Sequence, residues 1–342
     1  MNTNIPQKPD ILTTTVGSYP WPDWLALVRT ETALDDAMRV VFDIQRQCGI
    51  DLPVDGELYR FNPSHPETNG MIEYFLHPLG GVRSTLSRSD TERFHERNDM
   101  NFRLKPAAVV ESELKEGSLN LMADCKRAAR ISGRPFKFTI TSPYMLAKTL
   151  LDNYYDDFDE LIMSLARIIS EQMPGLPANC LQIDEANIPG YPEDTETAAR
   201  AINTIFEKVD SCTEKAVHLC FGNYGGQTIQ KGTWDSLVDF LNRLNTDHLV
   251  LEMAHRGIND LAALKEVNPA IKLGIGVVDV KINRIESPDE IASRIELAEK
   301  TVGPGRVRFI HPDCGFWMLK RSIADKKMAA LKSGRDRYLG IS

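Results

Sequence analysis

Short runs of apolar residues recur along the chain, and most are followed by a turn signal and then by a longer stretch with helical spacing. This alternation predicts repeated strand-helix units around a parallel sheet. We count eight such strands, and eight is the number that closes an α/β barrel. The predicted strands cover residues 12–16, 52–54, 136–141, 180–184, 216–221, 248–253, 272–278 and 307–311.

Amphipathic stretches separate most of these strands. Apolar residues recur in them at spacings of three and four, which places them on one face of a helix. The clearest examples are residues 159–172, 195–209, 233–244 and 288–302. Helices of this kind cover the outside of a barrel, so the predicted fold class is α/β, a (β/α)8 TIM barrel.

The pattern fails between the second and third predicted strands, which are separated by far more chain than an ordinary loop needs. We therefore expect a long insertion between strands 2 and 3, at about residues 57–134, within a single barrel domain that spans residues 1–342. Inside it, residues 107–112 resemble a strand and 119–129 a helix, whereas 83–101 are charged and predicted to be a loop. Two domains divided at the insertion are the alternative.

Composition and charge narrow the function classes. The 342 residues include 40 basic and 48 acidic ones, a formal net charge of −8, and no basic run is interleaved with aromatic residues, which argues against nucleic acid as a partner. No apolar run approaches membrane-spanning length and the amino terminus lacks a signal-peptide pattern, so we expect a cytoplasmic protein with no membrane partner. Six sparse cysteines favour reduced thiols over a disulfide framework.

Polar residues lie at or after the ends of the apolar runs, where the active site of a parallel barrel is found. The strongest candidates are His218 and Cys220, because residues two apart on a strand point to the same side and can bind one ion. A lone His-x-Cys pair is more typical of a packed core. The full set comprises Ser18, Asp55, Glu57, Asp184, Glu185, His218, Cys220, Glu252, Asp279 and Cys314.

Two further residues turn this pair into a candidate metal site. Glu252 interrupts an apolar strand, where a carboxylate is costly to bury without a cation or a hydrogen-bonded partner. Cys314 follows the last strand and completes a set of one imidazole, two thiolates and one carboxylate, which zinc accepts. A salt bridge from Glu252 to His255 or Arg256 is the alternative interpretation.

At this point the chain resembles a known family, the catalytic domain of cobalamin-independent methionine synthase. The resemblance spans nearly the whole chain in family order, without the additional amino-terminal domain of the larger members, so the chain looks like a short, single-barrel form. It is carried by Glu252 and by the motifs TVGSYP (15–20), DGE (55–57), QIDE (182–185), HLC (218–220), GIGVVD (274–279) and PDCG (312–315).

The resemblance implies a zinc-dependent methyltransferase. Zn²⁺ held by His218, Cys220, Glu252 and Cys314 would bind the thiol of homocysteine, which attacks a methyl group and becomes methionine. Coordination removes the thiol proton and leaves a nucleophilic sulfur at neutral pH. The glutamate oxygen is the ligand that we expect to move when the substrate sulfur enters.

The resemblance also assigns the substrate-binding residues. Ser18 would hold the carboxylate of homocysteine, while Glu57 and Asp184 would bind its ammonium group. Two carboxylates in one small cavity repel each other unless a cation lies between them, and an ammonium group supplies one. Turn capping or a salt bridge is the ordinary structural role for each of these residues.

The sequence departs from the family at two places. Lys281 lies shortly after Asp279, at the place where the larger enzymes have a histidine linked to proton delivery. It would act with Asp279 as the catalytic acid; the alternatives are that it binds an anionic part of the donor or is a solvated loop residue. The tryptophan that stacks on the donor's pterin is absent from residues 141–149, which leaves Tyr144, Tyr154 and Tyr155 as candidate donor-binding rings, with a core or surface role as the alternative for each. The donor is therefore a methyl-folate, or a methylcorrinoid or its carrier protein.

Three other interpretations stay open. A zinc-dependent alkyltransferase acting on another thiol, such as coenzyme M, shares the metal chemistry, although Glu57 and Asp184 favour an amino-acid thiol over a sulfonate. A barrel with structural or redox-sensing zinc would have a closed metal site. A metal-free decarboxylase is the last alternative, since barrels host many reactions.

Overall fold

The computed structural model describes residues 10–28, 30–62, 68–97, 100, 102–223 and 227–341. Ten strands lie in this part of the chain. They are β1 (Leu12–Thr13), β2 (Gly80–Arg83), β3 (Val109–Lys115), β4 (Lys137–Thr141), β5 (Leu151–Asp152), β6 (Cys180–Glu185), β7 (Glu214–Leu219), β8 (His248–Leu251), β9 (Lys272–Val278) and β10 (Val307–Pro312).

Twelve α-helices accompany these strands within the described ranges. They are α1 (Asp23–Leu27), α2 (Glu31–Gln47), α3 (Glu73–Leu76), α4 (Arg88–Glu96), α5 (Leu121–Ser132), α6 (Pro143–Lys148), α7 (Phe158–Ser170), α8 (Thr195–Phe206), α9 (Val238–Arg243), α10 (Ile258–Ala263), α11 (Pro288–Val302) and α12 (Arg321–Leu339). None of them combines the length and apolar content needed to cross a lipid bilayer.

The main sheet is parallel throughout and has the strand order β1-β10-β9-β8-β7-β6-β4. Residues 52–54 join its two outer strands, because parallel bridges connect Thr14 to Leu52 and Val54 to Lys137. This segment takes the place of the second of the eight barrel strands. The predicted TIM-barrel fold is confirmed, with all eight strands where the apolar runs indicated them.

Local sequence signals explain why the outer helices begin where they do. At the start of α11, Ser287 accepts a hydrogen bond from Glu290 N–H and the Glu290 side chain accepts one from Ser287 N–H, a capping box that satisfies free backbone donors. The helix then buries a face that includes Ile291, Ile295 and Val302. Helices predicted at 159–172, 195–209 and 288–302 are observed as α7, α8 and α11.

The insertion supplies two strands of a separate three-stranded sheet. Strand β3 pairs antiparallel with β2 and parallel with β5, which follows α6 outside the insertion. The strand and helix expected at 107–112 and 119–129 correspond to β3 and α5. The expected charged loop at 83–101 is wrong, because it contains α4, which starts with a capping box between Ser87 and Asp90.

Arg60 joins the insertion to the barrel. Its side chain is buried, its guanidinium lies 3.3 Å from the Glu57 carboxylate, and it donates a hydrogen bond to the backbone oxygen of Thr139 on β4. The same group lies 5.4 Å from the ring centre of Tyr74 and 5.3 Å from that of Phe75, both in the insertion. One cation therefore contacts both parts of the fold.

Candidate metal centre

Three of the four predicted metal ligands converge at the carboxyl ends of the barrel strands. His218 lies on β7, Cys220 follows its last residue, and Cys314 follows β10. One ligand atom from each lies within 4.8 Å of the other two. The spacing of His218 and Cys220 brings both to one side of the strand, as the alternation of strand side chains requires.

His218 is oriented as a metal ligand would be. Its Nδ1 lies 2.8 Å from the backbone oxygen of Val250 and must donate there, since a carbonyl only accepts. Its Nε2 is buried and has no hydrogen-bond partner among the residues that the structure describes. A buried ring nitrogen with a free lone pair suits a cation, and a ligating histidine commonly donates its other N–H in this way.

The two thiols are electrostatically unlike. The pKa of Cys314 is held well below its ordinary value because Cys220 donates a hydrogen bond to it and His218 lies beside it. The hydrogen bond with Cys314, together with burial, raises the pKa of Cys220 well above its ordinary value. Sulfur, sulfur and imidazole nitrogen form a donor set that fits zinc.

Glu252 is close to this cluster but is bound elsewhere. Its Oε1 accepts hydrogen bonds from Lys281 Nζ at 2.9 Å and His255 Nε2 at 3.0 Å, and its Oε2 accepts one from Phe221 N–H at 3.2 Å. No Glu252 oxygen joins the group of ligand atoms within 4.8 Å. The alternative of a salt bridge to His255 is what the structure contains, whereas Arg256 pairs with Asp260 at 2.9 Å.

Asp313 supports His255 from the other side. Its buried carboxylate accepts hydrogen bonds from the N–H groups of Met253 and Ala254, both at 2.8 Å, and lies 3.1 Å from His255 Nδ1. These contacts with Asp313 and with Glu252 raise the pKa of His255 to about 9. Asp313 was not predicted to have a role, although it lies in the PDCG motif directly before Cys314.

Gly276 on β9 leaves the space that Asp313 occupies. A Cβ at this position would lie 2.1 Å from Asp313 Oδ1 and 2.9 Å from the backbone oxygen of Leu251. We expect Gly276→Ala to lower the free energy of unfolding by about 1–3 kcal/mol, as overpacking does, and to displace Asp313. Urea denaturation measures the loss.

The matched control is Gly257→Ala, because a Cβ there meets nothing within 4 Å and its φ of −77° suits alanine. It is expected to change stability little. Equal stability of the two variants would contradict the close packing assigned to Gly276.

The metal candidates share a cavity of about 950 Å³ with the predicted substrate residues. His218, Cys220 and Cys314 line it together with Ser18, Glu57 and Asp184. The insertion contributes to its wall through Asn69, Met71 and Phe102, among others. A cavity of this size holds a small amino acid and leaves room for a second ligand.

Two carboxylates line this cavity. Glu57 follows residues 52–54 and Asp184 lies on β6, with β4 between these two segments. Asp184 is 3% exposed; burial raises its pKa to about 7, and the Glu57 carboxylate contributes to the rise. Glu57 has a left-handed backbone with φ 59° and accepts a hydrogen bond from the Thr139 hydroxyl. Arg60 offsets part of this negative charge from 3.3 Å away, and the charge that remains favours a cationic ligand group.

Ser18 and Glu185 complete this part of the site. The backbone oxygen of Ser18 accepts a hydrogen bond from Phe316 N–H at 2.8 Å, and a Cβ at Gly315 would lie 2.1 Å from Ser18 Oγ. The glycine therefore keeps the hydroxyl accessible beside Cys314. Glu185 accepts hydrogen bonds from the Ser142 hydroxyl and from the backbone N–H groups of Asn187 and Ile188.

The remaining predicted residues lie off the cavity lining. Lys281 N–H donates to Asp279 Oδ1 at 2.8 Å, so Asp279 shapes the turn that positions Lys281. Tyr144 is fully buried in α6 and its hydroxyl donates to Asp194 at 2.7 Å. In this position its ring cannot stack on a ligand, so the structure does not support it as a donor-binding residue.

Two of the tryptophans that line the cavity, Trp24 and Trp317, lie at its exposed rim and were not predicted as site residues. Trp24 in α1 is 41% exposed and Trp317 is 40% exposed. Trp317 follows Cys314 by three residues, a spacing that could have drawn attention to it. Exposed indole rings beside a cavity are common at binding sites for planar ligands.

Comparison with known proteins agrees with this geometry. Residues 11–336 match the family described as cobalamin-independent synthase, catalytic domain. The methionine synthases of Thermococcus kodakarensis and Pyrococcus horikoshii are both 30% identical to this chain, over 96% and 94% of its length and 93% and 91% of theirs.

Solved structures show the same fold. A B12-independent methionine synthase from Shewanella sp. W3-18-1, in complex with selenomethionine, has a TM-score of 0.79 at 21% identity and covers 96% of this chain and 99% of its own. A putative vitamin-B12 independent methionine synthase from Listeria monocytogenes has a TM-score of 0.71 at 18% identity, covering 97% and 99%.

Proposed function

This chain belongs to the cobalamin-independent methionine synthase family and is a methyltransferase, and we propose that it transfers a methyl group to the thiol of homocysteine in a zinc-dependent reaction that forms methionine. One observation carries the proposal: the unpartnered Nε2 of His218 and two thiols converge in the cavity that holds Glu57 and Asp184. The name of the relatives, methionine synthase, supports homocysteine as the acceptor.

The ligands proposed for zinc are His218 Nε2 and the sulfur atoms of Cys220 and Cys314, with Glu252 as a fourth ligand after a side-chain movement. When bound, zinc keeps a substrate thiol ionised at neutral pH and fixes its position. Val250 holds the His218 ring through Nδ1, which leaves Nε2 free to bind the metal.

The amino acid part of homocysteine is proposed to bind between β1 and β6. Glu57 and Asp184 would accept hydrogen bonds from its ammonium group, whose charge offsets the repulsion between the two carboxylates. The Ser18 hydroxyl would donate to its carboxylate. This arrangement disfavours a sulfonate thiol such as coenzyme M, because that substrate needs cations where the chain has carboxylates.

We propose that the methyl donor enters the cavity past the exposed rings of Trp24 and Trp317. Trp24 and Trp317 offer flat apolar surface to a methyl-folate or a methylcorrinoid, whether free or carried by a corrinoid protein. We further propose that residues 1–342 act as one domain, since Asn69 and Met71 of the insertion line the same cavity as the barrel residues.

The test is methionine formation by the zinc-loaded chain from homocysteine, with methylcobalamin and with methyl-folate as separate donors. We expect turnover with one donor, equimolar zinc in the active protein, loss of activity on chelation, and recovery with zinc but not magnesium, which prefers oxygen ligands. Absence of turnover with both donors would overturn the proposed reaction. Activity without metal would overturn the zinc proposal and favour a metal-free enzyme.

A structural metal site would behave differently. A closed site with four protein ligands keeps the same coordination when homocysteine is added, whereas a catalytic one gains a sulfur contact. Zinc X-ray absorption with and without homocysteine therefore separates the two independently of the donor.

A further inference from the structure

The carboxylate of Glu252 is fully bonded by the chain itself. It is 0% exposed, and it accepts hydrogen bonds from Lys281 Nζ, His255 Nε2 and the Phe221 N–H. A buried carboxylate without such partners is costly, whereas three donors and two basic side chains offset its desolvation. The observed position is therefore a stable place for this group to rest.

The residues that receive the carboxylate are themselves held in place. His255 is fixed through Nδ1 by Asp313, which is anchored by two backbone N–H groups. Lys281 has a side chain only 8% exposed, and its Nζ also donates to the Thr228 hydroxyl at 2.8 Å. Fixed partners of this kind keep a defined geometry when the group that they bind leaves and returns.

Glu252 also lies close to the metal candidates. Its backbone N–H donates to the Leu219 oxygen at 3.2 Å, and Leu219 directly precedes Cys220. Phe221, whose N–H binds Glu252 Oε2, directly follows Cys220. Glu252 is therefore hydrogen-bonded to the residues on both sides of Cys220, one of the three candidate ligands.

We propose that Lys281 and His255 form a receiving site for Glu252 during ligand exchange at the metal. This proposal rests on the proposed function. Before homocysteine binds, Glu252 would hold the metal together with His218, Cys220 and Cys314. When the thiol enters, its sulfur would take the place of the Glu252 oxygen, and the thiol proton would pass to solvent. One anionic ligand replaces another, and the displaced carboxylate rests on the two basic side chains.

In this arrangement Lys281 and His255 are positioning residues, since they act on the metal through Glu252. Without Lys281 the displaced carboxylate would be buried with too few partners, so homocysteine would bind more weakly. We expect Lys281→Met to raise the dissociation constant of homocysteine about 10–100-fold, the range typical of a lost ligand partner. His255→Gln is expected to act in the same direction.

The experiment measures homocysteine binding to the zinc-loaded full chain by calorimetry and the zinc shell by X-ray absorption, neither of which needs turnover. At a homocysteine concentration that saturates the unmodified protein, Lys281→Met is expected to keep its zinc-oxygen contact and to lack the new sulfur contact. Lys281→Arg is expected to restore the exchange. Lys272→Met is the matched control, since Lys272 is an exposed lysine at the opposite end of β9.

A second background separates this role from a general charge effect. In Glu252→Gln the ligand is neutral and needs no cation when displaced, so adding Lys281→Met is expected to leave homocysteine affinity unchanged. Equal weakening in both backgrounds, or unchanged affinity in Lys281→Met alone, would overturn the receiving site. If the unmodified protein gains no sulfur contact, the proposed function itself fails, and this inference with it.

Discussion

Replacing Cys314 by alanine is expected to remove zinc from the purified protein and to lower methionine formation by more than about a hundredfold. Loss of a residue that only hydrogen-bonds to a metal ligand costs about 10–100-fold in metal affinity or activity, and loss of the ligand itself should cost more. His218, Cys220 and the displaceable Glu252 would remain, but only two of these are fixed in place, too few to hold zinc. Metal analysis of the purified variant gives the first readout and the methionine assay the second.

Cys212→Ala is the matched control, because Cys212 is an exposed free cysteine outside the cavity lining. It is expected to keep full zinc content and activity. If Cys314→Ala retained equimolar zinc, the three converging side chains would not be the metal site, and the proposed mechanism would fall.

Replacing Arg60 by methionine is expected to lower the free energy of unfolding by about 3–5 kcal/mol, because it leaves a buried carboxylate without its cation. Glu57 would lose a partner at 3.3 Å, and the Thr139 oxygen would lose its guanidinium donor. Burial already raises the pKa of the neighbouring Asp55 to about 6, while Arg60 lowers it, so the loss extends to a second carboxylate. Urea denaturation provides the measurement.

Arg39→Met serves as the comparison. Arg39 pairs with Asp36 at 2.8 Å, but both side chains are more than half exposed, and surface pairs contribute at most about 1 kcal/mol. Similar losses in the two variants would contradict the role given to Arg60 at the junction of barrel and insertion.

The barrel was predictable because its strands are buried on both faces. Near-continuous apolar runs therefore mark each strand, even residues 52–54, which the structure joins to the sheet by isolated bridges. The pairing of β3 with β5 was not predictable, since it depends on contacts between distant parts of the chain that leave no local pattern. Helix α4 could have been found from the Ser87 and Asp90 pair, a signal that its high charge obscured.

Three residues of the candidate metal centre could also be predicted from the sequence, but the position of the fourth could not. His218 and Cys220 follow from strand alternation, and Cys314 from its place after the last strand. The position of Glu252 depends on Lys281, His255 and Asp313, which come from three different loops, and only the fold brings them together. Tyr144 follows Ser142 and Pro143, which start α6 and turn the ring into the core; its sequence position alone could not reveal this.

The pairing of β3 with β5 also has a consequence for how the chain folds during synthesis. The small sheet takes its last strand, β5, from residues that follow β4. The barrel strand β4 must therefore be synthesised before the small sheet can be completed. Until then β3 has an open edge on the side where β5 will pair. A nascent chain paused within the insertion would thus expose an unpaired strand that needs protection from aggregation.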